Sequence, residues 1–166
     1  MEGPDPCKIA CRAVPADGCR LRSVNAPFRH RLRVRWAECD LQGIVFYAHY
    51  LAYFDIAITE LYRDAIGSWG ALAEYDADVV VAEAGVRYRA SARFDDEIEI
   101  VASIRQLGTT SVVTEISIAR EIDDELLVEG ELRHVFVDPE TLAKRDIPTP
   151  VRSKLERYLV PSAAPG

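Results

Sequence analysis

The chain has 166 residues, a length that suits one domain with a substantial core and leaves little for a second. Its 27 acidic residues outnumber its 20 basic ones, for a formal net charge of −7, which speaks against nucleic acid or an anionic membrane as partner of the whole chain. Hydrophobic residues make up 49%, an ordinary globular share. No apolar run approaches the roughly 20 residues that span a bilayer, so no stable membrane insertion is expected.

Residues 1–26 are rich in Pro, Gly and charge. They contain no long apolar stretch and match neither a secretory signal nor a transit peptide. They are expected to be a flexible N-terminal extension, and the cytoplasm is the expected compartment. Cys7, Cys11 and Cys19 lie within the extension and Cys39 beyond it. Their spacing fits no common zinc pattern and no His precedes His30, so reduced thiols are expected rather than a metal or redox cluster.

Regular patterning starts after the extension. Phe28, His30, Leu32, Val34 and Trp36 alternate with Arg29, Arg31, Arg33 and Arg35, which predicts a strand with one buried and one basic face. Given the net acidic charge, those arginines are expected to meet solvent or another subunit rather than nucleic acid. Residues 38–45 break the alternation. A helix is predicted over about 46–66, where Tyr47, Tyr50, Leu51, Phe54, Ala57, Ile58, Leu61 and Ala65 recur at helical spacing. Tyr53 and Ile56 extend its apolar surface beyond one stripe, so the helix should be enclosed, with Gly67 as its stop. Residues 68–77 read as a loop.

Four more strands are predicted, over about 79–90, 97–105, 112–119 and 126–137. Turns fall at 107–110 and 123–125, and Pro139 closes the last strand. Residues 150–159 suggest a short closing helix. The order predicts an α+β domain over 27–160, an antiparallel sheet of about five strands curled around one long helix, followed by a tail over 161–166. One face of each strand should meet the helix.

The chemistry concentrates in Arg35-Trp-Ala-Glu-Cys-Asp-Leu-Gln-Gly-Ile-Val-Phe-Tyr-Ala-His-Tyr50. Amides at a helix N-terminus are unpaired and favour negative charge, so they can polarise a carbonyl. A carboxylate beside them can attack that carbonyl or direct water at it. Asp40, Gly43 and the first helical amides offer that pair; an Asp before a helix also serves as a plain N-cap.

The same segment resembles the hot-dog acyl-CoA thioesterases of the 4-hydroxybenzoyl-CoA thioesterase type, and the related acyl-CoA thioesterases encoded with the bacterial Tol–Pal system. The pattern runs through Asp40, Gly43, the apolar residues 44–47, Tyr50, Phe54, Ala57, Glu60 and Arg63. It continues through Tyr88, Ala90, residues 93–100, 107–111 and 135–139, and covers roughly 28–159. The resemblance implies a hot-dog fold and a homodimer or homotetramer hydrolysing acyl-CoA, with coenzyme A as part of the substrate and no further cofactor or metal. It implies Asp40 as catalytic carboxylate, the amide of Tyr47 as the group polarising the thioester carbonyl, and Gly43 as the residue permitting close approach. Whether Asp40 acts as nucleophile or general base stays open; a carboxylate is a weak base at neutral pH, which favours attack.

Residues 107–111 lack the basic cluster of the benzoyl-CoA enzyme, so phosphate contacts do not transfer there. Arg145, with Lys144 beside it, matches a basic position near the C-terminus and is a candidate phosphate contact. His49, Tyr50, Tyr53 and Phe54 are candidate substrate-lining residues, though core packing also accounts for them. Glu60 is expected to pair with Arg63 rather than act, and Cys39 lacks a nearby base. Two alternatives keep the fold: a thioesterase acting on acyl carrier protein, and a non-catalytic acyl-CoA-binding subunit.

Overall fold

The computed structural model describes residues 25–160. The expected extension, apart from its last two residues, lies outside the described residues with Cys7, Cys11 and Cys19, as does the 161–166 tail. Five strands form one antiparallel sheet: β1 (Phe28–Arg33), β2 (Asp78–Tyr88), β3 (Glu97–Leu107), β4 (Ser111–Arg120) and β5 (Leu126–Val137). Their spatial order is β1-β3-β4-β5-β2. The long helix α1 (His49–Ile66) runs between β1 and β2 in sequence, and the short α2 (Thr149–Leu155) follows β5.

Period-two patterning aims each central strand. On β3, Ile98, Ile100, Ala102 and Ile104 are buried, while Glu97 is exposed and Glu99, Ser103 and Arg105 half-buried. On β4, Val112, Thr114, Ile116 and Ile118 are buried on the same side of the sheet. Tight loops join these strands: Gly108 N–H donates to Ser111 O at 2.8 Å, and Arg120 N–H to Glu125 O at 2.9 Å. The buried side of α1 carries Tyr50, Tyr53, Phe54, Ala57, Ile58, Leu61, Tyr62, Ala65 and Ile66. A face that wide fits a helix wrapped by a curved sheet. It approaches β5 so closely that a Cβ on Gly130 would stand 2.6 Å from Cε2 of Phe54. The helix ends where Gly67 N–H donates to Arg63 O at 2.8 Å.

Three boundaries differ from the sequence expectation. β1 stops at Arg33, and residues Trp36–Glu38 form a 3-10 turn that leaves Trp36 72% exposed instead of buried. α1 begins at His49 rather than near 46, because Phe46 N–H is drawn back to Glu38 O at 2.9 Å and residues 46–48 form a turn. β2 does not bury one face. Val80, Val81 and Tyr88 are 39, 55 and 47% exposed, since among the described residues β2 is an outer strand paired only with β5 and the helix does not cover it.

The arginines of β1 face acids on and beside β3. Arg29 and Arg31 meet Glu99, Arg31 also meets Glu121, and Arg33 meets Asp95 and Glu97. The basic stripe is therefore matched by carboxylates. Glu60 pairs with Arg63 one helical turn on.

Candidate active site

The loop between β1 and α1 closes on itself. Cys39 and Val45 form an antiparallel bridge, and Asp40 N–H donates to Ile44 O at 2.9 Å. Gly43 N–H returns to Asp40 O at 3.0 Å. Gly43 has φ of 72°, a left-handed conformation that glycine adopts without the Cβ penalty. The Asp40 carboxylate is half-buried. Its Oδ1 accepts the Gln42 N–H at 2.8 Å, an Asx turn that fixes the side chain over the loop.

The descending limb of this loop leads into α1. Tyr47 and Ala48 come just before the helix, and their amides have no hydrogen-bond acceptor among the described residues. No side chain caps the helix and no acidic residue lies in its first turn. Unpaired amides at a helix start carry partial positive charge. The Tyr88 hydroxyl donates to Tyr47 O at 3.1 Å, which orients this turn from β2.

A second loop, 89–96, walls the first. Val45 N–H donates to Ala92 O at 2.9 Å, and Ile44 bridges to Arg93. Arg120 holds the wall in place through Asp96 Oδ2 at 3.2 Å and Ser91 O at 3.0 Å. The two loops and the turn before the first expose apolar groups: Leu41, Phe46, Tyr47, and an edge-to-face pair of Trp36 and Phe94 with centroids 5.3 Å apart.

The sequence candidates separate into groups. Asp40, Gly43 and Tyr47 share one loop. His49 is the first residue of α1, half-buried, with its ring 6.2 Å from that of Phe46. Tyr50 and Tyr53 belong to the core. The Tyr50 hydroxyl accepts Ala92 N–H at 2.9 Å, and burial pushes its pKa up. Phe54 is fully buried beneath Gly130, so packing occupies the ring that the sequence offers as pocket lining. Arg145 lies after β5, donating its backbone N–H to Phe136 O at 3.0 Å and standing near Asp138. No hydrogen bond or ion pair joins it to the Asp40 loop. Among the described residues no group of three or more His, Cys, Asp or Glu is placed to hold a metal ion.

Glu38 is a feature the sequence reading passes over. It is 6% exposed, the one buried acidic residue among those described. Its Oε2 accepts the Tyr53 hydroxyl at 2.7 Å and the Arg35 N–H at 2.7 Å, and its Oε1 accepts Arg35 Nε at 2.9 Å. Burial pushes its pKa up, but the Arg35 N–H, the Tyr53 hydroxyl and the Arg35 guanidinium outweigh that and hold it below its ordinary value. The only sequence signal is the three-residue spacing from Arg35 to Glu38.

A curled five-stranded antiparallel sheet around one helix, with an acidic loop at the start of that helix, is the hot-dog arrangement of thioester hydrolases. The chain belongs to the thioesterase superfamily, whose family model matches residues 42–128. It is 33% identical over 130 residues to the acyl-CoA thioester hydrolase YbgC of Escherichia coli O6:H1, covering 78% of this chain and 96% of that protein. Among solved structures it is similar to a gentisyl-coenzyme A thioesterase (25% identity, TM-score 0.67, covering 76% of this chain and 98% of the other). A 1,4-dihydroxy-2-naphthoyl-CoA thioesterase from Synechocystis shares the fold at 18% identity, with a TM-score of 0.73 over 78% of this chain and 96% of that one.

Proposed function

We propose that this thioester hydrolase acts on an acyl-CoA, with Asp40 as its catalytic carboxylate and the Tyr47 amide as the donor to the thioester oxygen. One observation carries the reading: a carboxylate and unpaired helix-start amides sit on opposite limbs of a single loop, closed by the Cys39–Val45 bridge. The similarity to YbgC and to the gentisyl-coenzyme A enzyme supports coenzyme A as the carrier of the acyl group.

The steps follow from that pairing. The Tyr47 N–H donates to the carbonyl oxygen and stabilises the negative charge that develops there. Asp40 then attacks the carbonyl carbon. The C–S bond breaks, coenzyme A leaves as the thiolate, and water hydrolyses the resulting mixed anhydride to release the acid. In the general-base variant, Asp40 takes a proton from water and the water oxygen attacks instead. Both routes use the same carboxylate, the same amide and water. The cytoplasm, expected from the sequence, fits such a substrate.

A second copy of the chain completes this reading. Among the described residues the outer edge of β2 has no strand partner, and the strand displays Val80, Val81 and Tyr88. An apolar unpaired edge is a template for another strand. Pairing there in a two-fold manner would bring Tyr88, and through it the Tyr47 turn, to the subunit boundary.

The test is thiol release from short, medium and long acyl-CoA, benzoyl-CoA and hydroxybenzoyl-CoA. Wild type is compared with Asp40→Asn after circular dichroism has shown the variant folded. Turnover of at least one ester by wild type, reduced about a hundredfold or more in the variant, is the expected result. Full activity in Asp40→Asn would remove Asp40 from the chemical step. If only carrier-protein thioesters turn over, the substrate assignment fails while the chemistry stands.

A further inference from the structure

Buried carboxylates are poor stability devices. Desolvation offsets most of what their partners return, and an apolar residue of similar volume commonly serves as well. Glu38 is buried all the same, and its contacts have a distinctive distribution. Its side chain is held from β1's extension by Arg35 and from the second turn of α1 by Tyr53. Its backbone carbonyl accepts Phe46 N–H at 2.9 Å. One residue therefore joins both limbs of the Asp40 loop to the helix. Asp40 lies two positions after it on the ascending limb. The Tyr47 amide lies one position after Phe46 on the descending limb.

We propose that Glu38 is a positioning residue for the hydrolysis, a clamp anchored by Tyr53 and Arg35 that fixes the Asp40 carboxylate relative to the Tyr47 amide. This rests on the assignment of Asp40 and Tyr47 above. Two hydrogen bonds to Oε2 and the guanidinium on Oε1 leave the carboxylate no second orientation, so the base of the loop is set from α1. The bridge Cys39–Val45 transmits that setting. Tyr53 is itself 1% exposed and T-stacked on Tyr50 with centroids 5.8 Å apart. Tyr50 in turn receives Ala92 N–H from the wall loop, so the clamp and the wall share one aromatic anchor. Arg35 is largely exposed and contributes less, because solvent screens its charge. Misplacing a reacting group by about 1 Å costs up to about a hundredfold in rate. The effect belongs in kcat, because Glu38 and Tyr53 are both buried and act through the placement of Asp40 and the Tyr47 amide.

The test uses the full chain with Glu38→Gln, Tyr53→Phe and the double variant. It has two readouts, backbone hydrogen exchange across 39–47 and steady-state hydrolysis of the best ester. In each single variant we expect faster exchange in 39–47, with protection of β3 and β4 retained. We expect kcat to fall about tenfold to a hundredfold with KM within about threefold. The double variant should be no worse than Glu38→Gln, because the two residues act through one hydrogen bond. Unchanged exchange across 39–47 in both single variants overturns the clamp, whether or not the chain hydrolyses any ester tried. Faster exchange with unaltered kcat overturns its place in the reaction. Loss of protection throughout β3 and β4 overturns it as well, by showing a general structural role. Failure of the acyl-CoA reading itself appears separately, as an inactive wild type or an active Asp40→Asn.

Discussion

Phe54 and Gly130 occupy each other's space: the Phe54 ring lies where a side chain on Gly130 would begin. A Cβ there would stand 2.6 Å from Cε2 of Phe54 and 2.3 Å from the carbonyl oxygen of Gly85 on β2. The missing side chain lets α1 seat against β5. Gly130→Ala should therefore overpack the helix–sheet contact and cost about 1–3 kcal/mol, lowering the melting temperature by several degrees. Trimming Phe54 as well should recover little, because the Gly85 oxygen still obstructs. A thermal melt of Gly130→Ala that matches wild type would show that the sheet opens without penalty.

Two buried tyrosines should respond oppositely to loss of their hydroxyls. The Tyr50 oxygen accepts Ala92 N–H at 2.9 Å, so Tyr50→Phe strands a buried donor and should cost about 1–3 kcal/mol. The Tyr62 hydroxyl is buried with no hydrogen-bond partner among the described residues, and burial pushes its pKa up. Removing it forfeits nothing, so Tyr62→Phe should be neutral or stabilising by up to about 1 kcal/mol. Denaturant midpoints of the two variants decide the matter. A loss in Tyr62→Phe equal to that in Tyr50→Phe would contradict it.

Gly43 offers a cleaner backbone test. A Cβ there meets nothing within 4 Å, so crowding plays no part in Gly43→Ala. The cost is the left-handed φ of 72°, about 1–2 kcal/mol for an L-residue. The loop has an alternative to paying it, which is to relax toward negative φ. That would break the Gly43 N–H to Asp40 O contact and shift the carboxylate. Turnover should then fall by more than the stability loss accounts for. Activity near wild type would mean that the loop tolerates either backbone state.

Much of this architecture is legible in the residue pattern, because period is a local property. The alternation on β3 and the helical recurrence from Tyr50 to Leu61 each report a buried face without reference to neighbours. The loop that carries Asp40, Gly43 and Tyr47 is equally local, though the roles expected of Asp40 and Tyr47 come from the family resemblance rather than from the pattern. Other features depend on what packs alongside. Trp36 continues the alternation of β1 in sequence, yet it faces solvent because the strand has already turned. Val80 and Val81 lie in a predicted strand, but the sheet ends at β2 and nothing among the described residues covers them. Glu38 looks like any surface acid; its burial is decided by Tyr53, 15 residues further on. Phe54 lies on the predicted helical stripe, but the glycine that admits it is on β5, and no local pattern connects the two.

His134 gives the chain a pH dependence whose sign can be worked out. It is on β5, 3% exposed, and burial pushes its pKa down while the charge of Asp55 on α1 partly opposes this. In the unfolded chain the imidazole has its ordinary value of about 6.5. Between that value and the lower one of the folded state, the unfolded chain binds the extra proton, so stability falls as pH falls. The contribution is complete above about 6.5 and is lost progressively below it. Melting temperatures should thus be level from about pH 7 to 8 and decline on the acid side, and His134→Gln should flatten the upper part of that decline. Asp55→Asn should deepen it, because removing the carboxylate lowers the folded-state pKa further and widens the gap. Parallel pH–melting curves for wild type and His134→Gln between about pH 5 and 7 would mean that His134 takes up its proton in the folded protein as easily as in the unfolded one.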